Sequence, residues 1–239
     1  MDLRAGALLL LLAAGMAAPA AAQQFVTDDA TVTAHRACQL EGWYGEAASW
    51  VLPACRFFRP LEITAGVGFV ADEDGGRAAE YVLQGKTLFR ELQPNGYGVG
   101  LVMGIGVDPL AQATGRRIEG VYAFLPLSLS LAGDRLLLHL NPGWHFERDA
   151  HDHGGRVQDA AHHAFTWAFR GDLVLTERFT LIGELFGEDR LRPEYQLGLR
   201  TILLPEYLLA DLSYGGHSAA GVAGAGWAVG LAWTPPPLF

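Results

Sequence analysis

Basic residues are scarce in this chain. Its 239 residues carry 17 Lys and Arg against 26 Asp and Glu, a net charge of −9. With no basic run anywhere, the sequence offers no footprint for nucleic acid. Cysteine is scarcer still: two residues, enough for one bridge in an oxidising compartment but not for a disulfide-rich scaffold. After the first residues no apolar run approaches the roughly 20 residues of a membrane helix. The chain is nevertheless 50 % hydrophobic and holds 30 glycines, a composition compatible with a closed transmembrane sheet.

The first residues form a targeting signal. Arg4 precedes an apolar run from Ala5 to about Ala14, then come Pro19 and Ala20-Ala21-Ala22 before Gln23. This is the plan of a secretory signal peptide over residues 1–22, with cleavage expected after Ala22. Residues 23–37 have no clear period and read as a short N-terminal arm. Residues 38–239 form the body of the chain.

That body is organised around Gly96–Val107. Tyr97, Val99, Leu101, Met103, Ile105 and Val107 alternate with Gly96, Gly98, Gly100, Gly104 and Gly106, and Val102 is the one bulky residue on the glycine side. Successive side chains of a strand point to opposite faces, so one face is bulk and the other nearly bare backbone. A helix would gain nothing from the pattern and would lose about 1 kcal/mol at each interior glycine. A soluble half-buried strand shows polar side chains to water, not glycine. A membrane barrel strand fits: the bulky face meets lipid and the glycine face leaves room inside.

Strand-like runs recur at Leu61–Val70, Tyr81–Arg90, Gly96–Val107, Val121–Leu131, Leu136–Phe146, Phe165–Leu175, Phe179–Glu188, Glu194–Leu203, Leu208–Gly215 and Gly224–Trp233. With an opening hairpin over Cys38–Cys55 they make about twelve strands, each near the ten residues a tilted strand needs to cross a bilayer. Short turns (Arg56–Pro60, Pro94–Gly96, Gly133-Asp134, Thr176–Arg178, Pro205-Glu206) alternate with longer connections (Ala71–Glu80, Asp108–Gly120, Glu147–Ala164, Gly216–Ala223). Asp189–Pro193 is the one short exception among the latter. Short periplasmic turns and longer external loops are how outer-membrane barrels are built. The fold expected is all-β, a closed antiparallel transmembrane β-barrel. The terminal Phe239 follows Pro235-Pro236-Pro237, which cannot donate to a strand ladder, so it is expected beyond the last strand.

Turn positions fix register, and register decides which side chains meet. A two-residue turn at Glu46-Ala47 sets Cys38 opposite Cys55 and Trp43 opposite Trp50, at a separation that a disulfide spans. A three-residue turn at Pro94-Asn95-Gly96 sets Lys86 opposite Gly104 and Arg90 opposite Gly100, so these glycines read as space for two long cations. The turn at Thr176–Arg178 pairs Arg170 with Glu184, and Pro205-Glu206 pairs Arg200 with Asp211. The neighbours one step along are apolar, so the charges share the inward face. A cation facing lipid at the midplane would cost roughly 2–4 kcal/mol. Lys86, Arg90, Arg170, Asp172, Glu184, Arg200 and Asp211 are thus the expected lumen lining, and Glu62, Gln84 and Glu194 fall inward too. Such an interior serves either as a plug of ion pairs or as a lining for small solutes, and its mixed signs favour neither anions nor cations.

Two constellations bear on chemistry. Glu147–Ala164 contains Asp149, His151, Asp152, His153, Asp159, His162 and His163, but no fixed ligand spacing, and reads as a hydrated loop without an assigned metal. The turn at Gly133-Asp134 sets Ser128 opposite His139, with Asn141 one inward step on. Serine, histidine and an orienting amide are parts of a hydrolase triad, yet no motif frames the serine and the pair faces the lumen. An enzyme is not the expected reading, and no cofactor is expected.

The signal, the glycine-alternating strands and the stretch Tyr195-Gln-Leu-Gly-Leu-Arg-Thr-Ile-Leu-Leu-Pro-Glu-Tyr-Leu-Leu-Ala-Asp-Leu-Ser-Tyr214 resemble the outer-membrane β-barrel transporters of the "MetA pathway of phenol degradation" kind. The resemblance implies a barrel in the bacterial outer membrane and passage or binding of small solutes. Its expected partners are outer-membrane lipid and the barrel assembly machinery. The alternative is a non-conducting structural barrel whose loops bind a partner.

Overall fold

The computed structural model describes residues 25–46, 48–71, 77–107, 118–152, 157–189, 192–217 and 225–236. The expected signal peptide over 1–22, the turn residue Ala47, most of the long connections and Phe239 lie outside them.

The strands are β1 (Cys38–Gly45), β2 (Ala48–Phe58), β3 (Leu61–Ala71), β4 (Arg77–Arg90), β5 (Tyr97–Val107), β6 (Ile118–Phe124), β7 (Leu127–Leu131), β8 (Leu136–Asp152), β9 (Val157–Val174), β10 (Phe179–Glu188), β11 (Glu194–Leu204), β12 (Leu208–His217) and β13 (Ala225–Trp233). Each pairs antiparallel with its neighbours, and β1 closes the sheet against β13. β6 and β7 share one course between β5 and β8. That course breaks at Leu125-Pro126, because Pro126 has no N–H to give the ladder. The result is a closed barrel of twelve strand courses.

Burial is the reverse of a soluble protein's. Glu62, Lys86, His139, Asn141, Arg170, Asp172, Glu184, Gln196 and Asp211 are buried, while large apolar side chains on the other face are exposed. Leu83, Met103, Leu185, Leu197, Leu199, Leu212 and Val229 cover the middle of the exterior. Aromatic side chains flank them: Phe57, Phe58, Phe89, Tyr97, Phe179 and Trp233 toward the end with the short turns, and Tyr44, Phe69, Tyr81, Trp144, Phe165 and Trp227 toward the other. An apolar band between two aromatic girdles is the exterior of a transmembrane barrel. The short-turn end is called the near end below, and the opposite one the far end.

The opening hairpin carries a Cys38–Cys55 disulfide with a Cα–Cα distance of 4.0 Å. Trp43 and Trp50, paired in the same register, stack with ring centroids 6.2 Å apart. They stand on the inward face, and the disulfide on the outward face at the near end.

Two expectations about the sheet are corrected. The stretch Glu147–Ala164 is mostly strand rather than loop, since β8 and β9 pair from Leu136↔Leu173 out to Asp152↔Val157. Its polarity belongs to a hairpin that extends past the other strands, so polar side chains there cost the ladder nothing. The side chains of residues 148–160 lie outside the description. The second correction concerns β4 and β5. Lys86 pairs with Val102 and Gln84 with Gly104, a register two residues away from the expected one. A shift of two keeps each side chain on its face, so Lys86 still points inward. A bulge at Leu88/Arg90 then sets Arg90 opposite Val99.

Candidate functional site

The lumen is not lined by strands alone. Residues 25–37 rise inside the barrel from the near end, beside the start of β1, to the middle of β11. There the ring of Phe25 lies against Gly198, where an added Cβ would come within 2.5 Å of it. Thr27, Ala30, Thr33 and Ala37 are buried at 6 % exposure or less.

Six strands hold this arm, mostly through its backbone. Glu184 on β10 accepts the amides of Val26 and Thr27 at 2.9 and 3.0 Å. Arg170 on β9 donates through Nη1 to the carbonyl of Thr27, while its Nε donates to Asp172 at 2.8 Å. Lys86 on β4 donates to Asp28 at 2.8 Å and lies 3.7 Å from Asp29. Ser128 on β7 accepts the amide of Ala30 at 2.8 Å. Glu62 on β3 accepts the amide of Thr33 at 2.6 Å, and Arg56 on β2 donates to the Thr33 carbonyl at 3.2 Å. An irregular segment buried in a polar lumen has backbone groups that must be satisfied; here the inward side chains of the wall do it.

The charges divide the work. Arg170 and Glu184 face each other in the ladder, but each uses its polar atoms on the arm as well: the cation takes a carbonyl and the carboxylate two amides. Arg200 and Asp211 are bonded to each other, Nε to Oδ1 and Nη2 to Oδ2, both at 2.8 Å. Such a two-point pair neutralises the buried carboxylate and fixes the guanidinium in one geometry. Burial alone would raise the Asp29 carboxyl, but the Lys86 ammonium and the Arg170 guanidinium outweigh it and hold the group well below the usual carboxylate range.

Arg90 is the expected lumen residue that the structure places elsewhere. The bulge inserts Phe89 and turns Arg90 to the exterior rim, where its guanidinium lies 4.0 Å from the centre of the Tyr97 ring and donates to the Tyr97 carbonyl at 3.1 Å. At the rim a cation reaches water while its stem covers apolar surface. The glycines of β5 do not make room for Arg90 either. Gly104 leaves space for the Tyr122 ring, whose hydroxyl donates to Gln84 at 2.8 Å, and Gly98 leaves space for Ala30 of the arm.

Ser128 Oγ lies 2.8 Å from His139 Nδ1, and His139 Nε2 lies 3.9 Å from Asp172. The three are the residue types of a hydrolase triad, but Ser128 and His139 are 3 % and 2 % exposed. Ser128 Oγ is engaged on two sides, by the Ala30 amide and by His139 Nδ1. The group acts here as a seat for the arm.

Beside the arm's seat, open space remains. A cavity of about 280 Å³ is bounded by Glu41, Glu62, Lys86, Arg170 and Arg200 together with arm residues 25–29. Two more, of about 290 and 420 Å³, lie toward the far end on either side of Thr166. The arm was missed as part of the site because it carries no period and no motif. The signal that could have found it is Asp28-Asp29, two carboxylates beside a lumen whose wall holds Lys86, the chain's single lysine.

Solved structures share this fold. The chain is similar to the KdgM porin in complex with disordered oligogalacturonate, at 9 % identity over 84 % of this chain and 99 % of that one, with a TM-score of 0.60. It is also similar to the NanC porin, at 11 % identity over 82 % and 98 %, with a TM-score of 0.56. At such identities the likeness is one of fold. No curated protein matches the chain. The chain belongs to the family described as Uncharacterised conserved protein UCP029691, whose model matches residues 8–231.

Proposed function

We infer that the protein is an outer-membrane barrel for passage or binding of small polar solutes, and that its N-terminal arm closes the near half of the lumen. The observation that carries this reading is the arm itself, held by charged and polar groups of six strands beside a cavity lined by Glu41, Glu62, Lys86, Arg170 and Arg200. A wall built only for stability would pair its charges with one another, as Arg200 and Asp211 do. Lys86, Glu184 and Glu62 instead hold residues 26–33 of the arm, and Arg170 divides itself between Thr27 and Asp172.

Several features support the setting. The exterior, with its apolar band and two girdles, suits a bilayer. The near end, with its short turns, would face the periplasm. The signal over residues 1–22 would be removed on export, leaving Gln23 and Gln24 ahead of Phe25. The fold is that of porins, one of them solved with an oligosaccharide, and the Tyr195–Tyr214 resemblance to phenol-pathway transporters also points to solute passage. Reading the Ser128 group as a seat leaves the protein without an enzymatic role.

The second reading, a non-conducting barrel, is favoured by the same arm, which is bonded to six strands of the wall. Planar-bilayer conductance decides between them. The refolded mature chain should conduct weakly or in rare openings, and a variant lacking residues 23–37 should conduct steadily. Silence from a folded arm-deleted variant would establish the non-conducting barrel.

A further inference from the structure

Outside the arm's seat, three donors converge on the inward wall toward the far end. His145 on β8, His162 on β9 and Glu188 on β10 stand on three neighbouring strands, and one ligand atom from each lies within 4.8 Å of the others. His145 Nδ1 is 3.6 Å from Glu188 Oε1, and His162 Nε2 is 3.9 Å from Glu188 Oε2. Neither distance is a hydrogen bond. The second nitrogen of His145, Nε2, is buried without a hydrogen-bond partner among the described residues, and the ring's neighbour is the His162 ring, 5.7 Å away between centroids. Two imidazoles and a carboxylate thus face one another across a gap slightly too wide for direct bonding.

We propose that His145, His162 and Glu188 bind one divalent transition metal, zinc or copper. Zinc bonds of roughly 2.0–2.2 Å in tetrahedral geometry set the donors about 3.3–3.5 Å apart. The two His–Glu separations, 3.6 and 3.9 Å, run to different carboxylate oxygens, and all three donors lie within 4.8 Å of one another, so side-chain rotations must draw them together around the ion. The donor set selects the metal class. Imidazole suits zinc and copper, whereas calcium and magnesium call for oxygen ligands. Three protein ligands leave at least one coordination position for water or a solute donor, unlike the four of a closed structural site. Space for such a group is present. His145 borders the cavity of about 420 Å³, Glu188 borders that of about 290 Å³, and Thr166 borders both. The backbone is fixed by the β8–β9 and β9–β10 ladders, so the site is largely preformed. Only His162 belongs to the histidine-rich stretch seen in the sequence. His145 lies just before that stretch and Glu188 well beyond it, and the three meet only through sheet pairing.

The test uses the full mature chain refolded in detergent, with heat-modifiable gel migration as the control for folding, and Zn²⁺ alone as the titrant. One equivalent should bind. His145→Ala, His162→Ala and Glu188→Gln should each weaken binding at least tenfold, and a His151→Ala/His153→Ala variant should bind as the parent does. Co²⁺ on the unmodified protein should give the intense visible bands of a four-coordinate site, a readout that needs no variant to fold. The proposal is overturned if the parent binds no zinc. It is equally overturned if binding survives in folded His162→Ala and Glu188→Gln, or if it disappears with His151 and His153.

Discussion

Lys86 donates to Asp28 at 2.8 Å from inside the barrel wall, with its side chain 6 % exposed. This is the chain's one lysine, and its partner belongs to the arm rather than to a neighbouring strand. The contact ties the wall's cation to the part of the arm that lies away from the ladder, so it reports directly on whether the arm is seated.

Amine acylation of the folded protein should therefore spare Lys86. Modification there, read by peptide mass spectrometry apart from the α-amino group, should be at least tenfold slower than in a variant lacking residues 23–37. Asp28→Asn with Asp29→Asn should give intermediate protection, because the backbone contacts at Glu184 and Ser128 persist. Equal reactivity with and without the arm would show that the arm does not occupy the lumen.

Arg200 and Asp211 provide the contrasting case, a pair internal to the wall. Removing one partner of a buried pair leaves an uncompensated charge, at a cost of roughly 3–5 kcal/mol. Arg200→Ala should lower unfolding stability by about that amount, and Arg200→Ala with Asp211→Ala should recover part of it. Neither change should alter Lys86 protection, since among the described residues the pair is bonded to itself and not to the arm's backbone amides. A silent Arg200→Ala in denaturant unfolding would mean that the pair is solvated.

Much of this was legible in the sequence because hairpins are local. A turn and a two-residue period set Cys38 opposite Cys55, Arg170 opposite Glu184, Arg200 opposite Asp211 and Ser128 opposite His139 without any knowledge of the rest of the fold. What failed was less local. One extra residue, Phe89, makes the bulge that turns Arg90 outward, and nothing in the alternation around it marks that residue. The glycines of β5 announce that space is needed but not what fills it, and Tyr122 and Ala30 fill it rather than two cations. The arm was illegible for the same reason. Its seat is assembled from side chains on six strands, each binding a backbone group that every sequence possesses.

Acid should release the arm. The Asp29 carboxyl is held below its ordinary value in the folded protein, so its contribution is complete above the free carboxyl pKa of about 3.9 and is lost as the pH falls below it toward the lower folded value. Single-channel conductance stepped from pH 7 to pH 3 should show more frequent opening of the mature chain. The arm-deleted variant should show no such step. Opening that instead increases as the pH rises from 5 to 8 would contradict the assignment.

Ser128 separates a seat from an active site. As a seat, its oxygen accepts the Ala30 amide and meets His139 Nδ1, both at 2.8 Å. Ser128→Ala should then leave that amide without an acceptor and weaken the arm's hold, by roughly 1–3 kcal/mol for a buried unsatisfied group. Faster Lys86 acylation and more frequent channel opening should follow together. As an active site, the same serine would be activated by His139 and would react with a fluorophosphonate at neutral pH. The geometry argues against that reaction: the oxygen is buried, its approach is filled by the arm, and Asp172 stands 3.9 Å from the histidine while bonded to Arg170. The full-length protein should therefore remain unlabelled at Ser128. Labelling that depends on His139, in the folded chain with the arm in place, would restore the hydrolase reading and remove the seat from this account.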